Sequence, residues 1–281
     1  MIYEHEIPKG ARLYFGKSAK LKRDIEQKVS DILYKNGFEE ILTPLFSYHQ
    51  HLSLDDAKEL IRVFDEKNRD LTLRADSTID VVRILTKRVN IDNKKWFYIQ
   101  PVFRYPTYEF YQIGAEILGE SQVTEALKNV IEIFKTLSVE PLLQISNIKI
   151  AKILNQDYKI PLEVLRDSNI EYLLKSENSW IKELIYLKRV KDIDNIAGLL
   201  PENIKEELLK IKELSKNIDY NNIIIAPLYY AKMRYYENLF FRFIDKNSTL
   251  CMGGEYISNE TKASGFSIYT DSLIEVLKKR G

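Results

Sequence analysis

The spacing of apolar positions divides the chain into segments of helical and of strand period. From Lys17 to Asn36 the residues Leu21, Ile25, Val29, Ile32 and Leu33 recur every three or four positions, which predicts an amphipathic helix. Gly37 follows where a helix end favours positive φ. The run GFEEILTPLF reads as a strand, with Pro44 toward its end at the kind of edge or interface where a missing backbone donor is tolerated. RVFDEKNRDLTLRAD reads as a hairpin turning around Glu66, Lys67 and Asn68. Ser77 is placed to cap a helix carrying Val81, Val82, Ile84 and Leu85. Trp96 to Val102 and Glu109 to Leu118 are strand-like, joined by Arg104 to Tyr108. After Ser121 a second amphipathic helix sets Leu127, Val130, Ile131 and Phe134 on one face.

Over residues 149–217 the texture changes to Lys, Glu, Leu and Ile at helical spacing without strand signal, which predicts an all-helical insertion. Strand patterns return at Ile223 to Tyr230, Tyr235 to Ile244 and Leu250 to Tyr256, and Asp271 to Lys279 closes the chain as a helix. An antiparallel sheet with helices gathered around it is an α+β architecture.

Composition narrows the function classes. With 281 residues, 45% hydrophobic and 30% charged, the chain has ample material for a core and is no disordered segment. Lys and Arg number 42 against 41 Asp and Glu, so no strong field draws nucleic acid or anionic lipid, which argues against a tRNA partner. No apolar run approaches the roughly 18 residues needed to span a bilayer, and the opening MIYEHEIPKG lacks the pattern of a signal peptide; no membrane association is expected and the cytoplasm is the expected compartment. Cys251 stands alone, without an adjacent base, and reads as a small core residue. His49 and His51 lack a third ligand at defined spacing, so no metal is expected; the acidic run Asp55, Asp56, Glu59, Asp65 and Glu66 reads as a solvated face.

The stretch FRYPTYEFYQIGAEILG carries the candidate chemistry. Side chains alternate along a strand, so Phe110, Gln112, Gly114, Glu116 and Leu118 share one face, with Gly114 leaving space between two polar groups. Burying an unpaired Gln or Glu costs several kcal/mol, so this face must be wet, paired or occupied. A bound ligand and a structural network with a neighbouring Arg or Lys meet that requirement equally well. For Arg104, a salt bridge to Glu109 or Glu116 and ligand binding are both open. Tyr229, Tyr230, Tyr235 and Tyr236 suit either a ring-stacking site or the core.

The same stretch is similar to motif 2 of class II aminoacyl-tRNA synthetases, in the histidyl-tRNA synthetase branch. LTLRADSTIDVVRI (Leu71 to Ile84) resembles that branch's LRPE-x-T-x-x-VVR segment, and GFEEILTPLF resembles motif 1. TLCMGGEY and ASGFSIYTDSLIEVL resemble its GGRYDGL segment and motif 3. The similarity covers roughly residues 1–145 and 219–280. It implies a single class II synthetase-like domain over residues 1–281, holding the helical insertion at about 149–217 and no anticodon-binding domain. It also implies that Arg104 matches the arginine that holds the ATP α-phosphate. Asp76, Thr78 and Gln112 match the residues that hold a histidine α-amino group, and Glu116 and Tyr236 those that hold the imidazole. The catalytic cations are missing: Ala231 and Ser272 stand where the family has arginines, and the motif 2 loop shrinks to Tyr105 to Tyr108. Losing two charge-assisted phosphate contacts, worth about 1.5–3 kcal/mol each, removes useful adenylation. Ser47, Arg234, Arg242 and Glu255 are further departures from the pattern.

This combination resembles the noncatalytic regulatory subunits of ATP phosphoribosyltransferase. The resemblance implies a homodimer built through motif 1, a separate catalytic subunit as partner, free histidine as feedback ligand, no tRNA, and no cofactor or catalysis of its own. Two other classes stay open: a synthetase-like ligase that activates another carboxylate, and a synthetase-like interaction protein with no ligand.

Overall fold

The computed structural model describes residues 6–50, 57–89, 92–119, 122–231, 235–258 and 260–279. Helix α1 (Gly16–Lys35) buries Ile25, Val29, Ile32 and Leu33, the face its spacing predicts. Gly37, at φ 83°, turns the chain so that the Phe38 N–H returns to the Leu33 carbonyl at 3.0 Å. Of the strand expected over GFEEILTPLF, only β1 (Glu39–Glu40) and β2 (Phe46–Ser47) form. The residues between leave the ladder because a buried guanidinium takes their carbonyls: Arg74 Nη1 donates to Thr43 O at 2.8 Å and to Pro44 O at 3.3 Å, and Pro44 has no N–H to give.

Strands β3 (Arg62–Phe64) and β4 (Asp70–Leu73) form the expected hairpin, with Asn68 at φ 56° in its turn; with β2 they make a small sheet of order β2-β4-β3. Helix α2 (Thr78–Lys87) begins after Ser77, yet the Ser77 side chain does not cap it. Its hydroxyl instead accepts from Gln100 Nε2 at 2.9 Å, tying the helix start to the main sheet.

That sheet begins with β5 (Lys95–Arg104) and β6 (Tyr108–Leu118), followed by α3 (Val123–Thr136) and β7 (Leu142–Asn147). A helical block then runs through α4 (Ile148–Tyr158), α5 (Leu162–Arg166), α6 (Ile170–Leu174), α7 (Trp180–Tyr186), α8 (Ile193–Ile196) and α9 (Glu202–Lys216). The chain returns as β8 (Ile223–Ile225), β9 (Tyr236–Asp245), β10 (Ser248–Ser258) and β11 (Thr261–Tyr269), and α10 (Thr270–Lys278) follows. The strand order is β1-β5-β6-β11-β10-β9-β7-β8, antiparallel except for the parallel outer pairs β1-β5 and β7-β8. This is the α+β class expected, with β7 and β11 as strands that the periodicity did not mark.

The two faces of the sheet differ. On one, Phe97, Ile113, Ala115, Leu143, Phe241 and Phe243 join Ile25 and Leu33 of α1, Val130 and Phe134 of α3 and Ile274 of α10 in a continuous core. On the other, polar and aromatic side chains face α2 and the helical block. The block is fastened to the sheet edge through Asn147, whose side chain accepts from the Lys149 N–H and donates to Glu207 Oε2 at 2.8 Å. Glu207, only 2% exposed, is also paired with Lys149 at 3.1 Å and Lys210 at 2.7 Å. Trp180 packs edge-on against Tyr158 within the block, whereas Trp96 lies in β5 with its indole N–H on Asn93 O. No helix among the described residues is long and apolar enough to cross a membrane.

Arg74 is 2% exposed and forms no ion pair among the described residues; it donates to Pro101 O at 2.9 Å as well as to Thr43 and Pro44. Burial pulls its pKa down to about 10, so it stays charged at neutral pH, solvated by backbone oxygens. Arg74→Met is expected to strand those carbonyls and lower stability by about 3 kcal/mol. Urea unfolding at neutral pH checks this, and a change within about 0.5 kcal/mol would show that the clamp adds nothing net.

Candidate functional site

The polar face centres on Glu116. Its neighbour two residues back is Gly114, and the space there is filled: a β-carbon at position 114 would lie inside the Tyr98 ring, which crosses over from β5. Across the other edge of β6, a β-carbon at Gly265 would collide with the Glu116 carboxylate. Two glycines on adjacent strands therefore make the room in which Tyr98 and Glu116 lie side by side.

Both side chains are satisfied. Glu116, 1% exposed, accepts from Tyr256 Oη at 2.6 Å and Tyr98 Oη at 3.3 Å. The Tyr98 hydroxyl also meets Ser267 Oγ at 3.1 Å and Thr78 Oγ1 at 3.5 Å, so α2, β5, β6, β10 and β11 converge on one carboxyl. The sequence left a ligand and a network with an Arg or Lys both open; the network found around Glu116 is built from tyrosines. Burial pushes the Glu116 pKa up to about 8, against the lowering effect of its hydroxyl donors. Burial raises the Tyr98 and Tyr256 hydroxyls as well, with the Glu116 charge adding to the effect.

Asp76 sits at the start of α2. Its backbone N–H and carbonyl are both held by the Gln50 amide, at 2.6 and 2.9 Å, and Tyr235 Oη approaches its carboxylate at 3.4 Å. Burial raises the Asp76 pKa, while the Arg104 charge opposes that shift. Arg104 does not bridge to Glu109 or Glu116, as entertained from the sequence. The acid nearest its Nη1 is Glu59 at 3.8 Å, too far for a hydrogen bond, and that buried nitrogen has no hydrogen-bond partner among the described residues.

Of the predicted site residues, the structure brings Asp76, Thr78 and Glu116 together, with Arg104 close enough to act on Asp76 electrostatically. Gln112, 8% exposed, lies on the same face of β6. Tyr236 is nearby but packs its ring against Phe240 at 4.8 Å; the tyrosine hydroxyls that reach Glu116 belong to Tyr256 and Tyr98. Tyr98, Tyr256 and Ser267 are the members that sequence reasoning missed; Tyr235, one of the tyrosines considered for ring stacking, meets Asp76 instead. Strand register was the signal that could have found Tyr98 and Ser267, since both pair with Gly114.

The departures also find places. Ser47 donates to Asp80 Oδ1 at 3.0 Å and is part of the support under α2. Glu255 accepts from the Leu239 N–H at 3.3 Å. Arg242 lies against Gln144 and Tyr229, away from Glu116. Ala231, 4% exposed, packs in an apolar cluster with Tyr236, Phe240 and Tyr256, where a cation was expected to be lost. Arg234, His51, Asp55, Asp56 and Ser121 lie outside the described residues.

Comparison with known proteins gives consistent results. Residues 11–273 match the family model described as histidyl-tRNA synthetase. An ATP phosphoribosyltransferase regulatory subunit from Wolinella succinogenes is 47% identical over 277 residues, covering 98% of this chain and 96% of that one. The protein of the same name from Helicobacter hepaticus is 41% identical over 279 residues, with 99% of each chain covered. A crystal structure of an ATP phosphoribosyltransferase regulatory subunit/histidyl-tRNA synthetase from Bacillus halodurans superposes with a TM-score of 0.87 at 20% identity, over 99% of this chain and 84% of that one, and shows the fold.

A carboxyl whose pKa rises on folding holds its proton more tightly in the native state. Its stabilising effect is full below the ordinary 4.5 and is lost as pH climbs through about 8. The wild-type protein is therefore expected to lose stability between pH 5 and 8 relative to Glu116→Gln, which has no proton to release there. Urea midpoints at pH 5, 6.5 and 8 measure the difference, and parallel curves would place the Glu116 pKa near its ordinary value.

Proposed function

The chain belongs to the histidyl-tRNA synthetase family and, within it, to the ATP phosphoribosyltransferase regulatory subunits; from that premise we propose that it supports a separate catalytic subunit and senses histidine through Asp76, Thr78, Gln112, Glu116 and Arg104. The observation that carries this reading is a buried guanidinium nitrogen without a hydrogen-bond partner among the described residues, close to two buried acids. The nitrogen is Nη1 of Arg104, and the acids are Asp76 and Glu116. A ligand with a cationic amino group, a ring N–H and a carboxylate complements all three. Tyr236 completes the pocket by contact rather than by a hydrogen bond to Glu116.

The same residues do not make a ligase. Ala231 is enclosed by aromatic side chains and Ser272 is a short hydroxyl at the start of α10, so neither supplies the positive charge that a polyphosphate leaving group needs. The helical block over residues 149–217 is, on this reading, an insertion into a single synthetase-like domain. The chain acts as a homodimer and has no use for tRNA or a cofactor.

Feedback then follows from linkage. Histidine that binds one conformation of the assembled enzyme more tightly shifts the population toward that conformation, by no more than the difference in affinity.

Mixing the purified protein with a short catalytic subunit is expected to raise phosphoribosyl transfer and to make it inhibitable by histidine. Gln112→Ala and Glu116→Gln should keep the activation and weaken the inhibition at least about tenfold, the effect of one or two hydrogen bonds to a charged group. Unchanged inhibition in both variants would move the histidine site elsewhere. Pyrophosphate exchange with any amino acid would restore the ligase reading.

A further inference from the structure

A second polar cluster lies on the same side of the sheet but at its opposite edge, and shares no residue with the Glu116 network. Strand register places Arg242 of β9 beside Gln144 of β7, and Gln144 beside Ile224 of β8. The Arg242 guanidinium donates to Gln144 Oε1 from Nε at 3.2 Å and from Nη2 at 2.8 Å, and lies 4.3 Å from the Tyr229 ring centre. Its charge is met by a neutral amide and an aromatic face; no carboxylate among the described residues pairs with it.

Those bonds fix the Gln144 amide, turning its Nε2 away from Arg242. Gln144 is 5% exposed and lines the cavity beside it. Beside these groups is a cavity of about 300 Å³, roofed by Leu165, Leu173 and Leu184 from α5, α6 and α7. Its size is that of a small-ligand site. A cavity-lining amide beside a guanidinium with no carboxylate partner among the described residues suits an anionic acceptor, and the leucine walls suit an apolar body.

We propose that this cavity binds a small monoanionic carboxylate bearing an apolar ring or chain, its oxygens shared between Arg242 and Gln144 Nε2 and its apolar part under the helical block. One guanidinium matches one negative charge. A phosphate dianion would require a second buried cation, and the other cation at the cavity, Lys188, is exposed. The site would couple its ligand to the seam between the sheet and α5 to α7, independently of the histidine reading.

The test uses the full chain with hydrocinnamate as the probe, hydrocinnamyl alcohol as its neutral isostere and inorganic phosphate as a plain anion, each titrated by calorimetry to about 5 mM. Saturable binding of hydrocinnamate alone is expected. Gln144→Glu hands Arg242 an internal counter-ion and removes the amide donors, so affinity should fall at least about tenfold with the fold intact. Arg242→Gln should do the same and guards against misfolding of either variant, with melting temperature as the check. Glu116→Gln should leave hydrocinnamate binding unchanged, which separates this site from the histidine pocket. The proposal is overturned by absence of saturable binding, by equal binding of the alcohol or of phosphate, or by binding that survives both Gln144→Glu and Arg242→Gln in folded protein.

Discussion

The polar half of the molecule is organised by one side chain lying over a missing one. Tyr98 occupies the volume that Gly114 leaves open, and its hydroxyl reaches Thr78, Glu116 and Ser267 together. A larger residue at 114 would expel the ring; without the ring's hydroxyl, Glu116 would lose one of its hydroxyl donors and lean on Tyr256. Because a buried unpaired carboxyl costs several kcal/mol, the positions of α2, β6, β10 and β11 are specified together by the need to satisfy this group. The apolar face needs no such specification, since α1, α3 and α10 cover it with side chains that only have to fit.

Helix boundaries were the most legible part of the sequence. The apolar spacing in α1, α2, α3 and α10 survives into the structure because each buries one face against the sheet. The hairpin over β3 and β4 was equally clear from its turn residues. β11 was hidden by its own composition: TKASGFSIY is rich in small residues, weak strand formers alone, and they are small because Glu116 and Tyr98 occupy the space beside Gly265 and Ser267. β7 was hidden because its apolar run flows directly into α4 without a break, the change of period falling at Asn147. At residues 41–45 the expected strand yielded to Arg74, a distant side chain that no local pattern announces.

The site was legible in its acids and not in its tyrosines. Alternation along β6 and the motif order pointed to Gln112 and Glu116, and the segment before α2 to Asp76 and Thr78. Tyr98 and Tyr256 are aromatic strand residues, which in most sheets are core, and only the cross-strand register shows that their hydroxyls end on Glu116. Arg242 stood out in the sequence only as a departure from the family pattern. The sheet is wide enough for it to lie three strands away from β6, where its neighbours are an amide and a phenol ring rather than an acid.

The placement of the two tryptophans divides the molecule optically. Trp96 is fixed within the sheet, 6% exposed, and Trp180 lies in the helical block against Tyr158. Each half thus carries its own emitter, and a single-tryptophan version of the protein would report on one half in silence from the other. Whether the block melts with the sheet or ahead of it then becomes a matter of comparing two colours of light from the same fold, with no label attached.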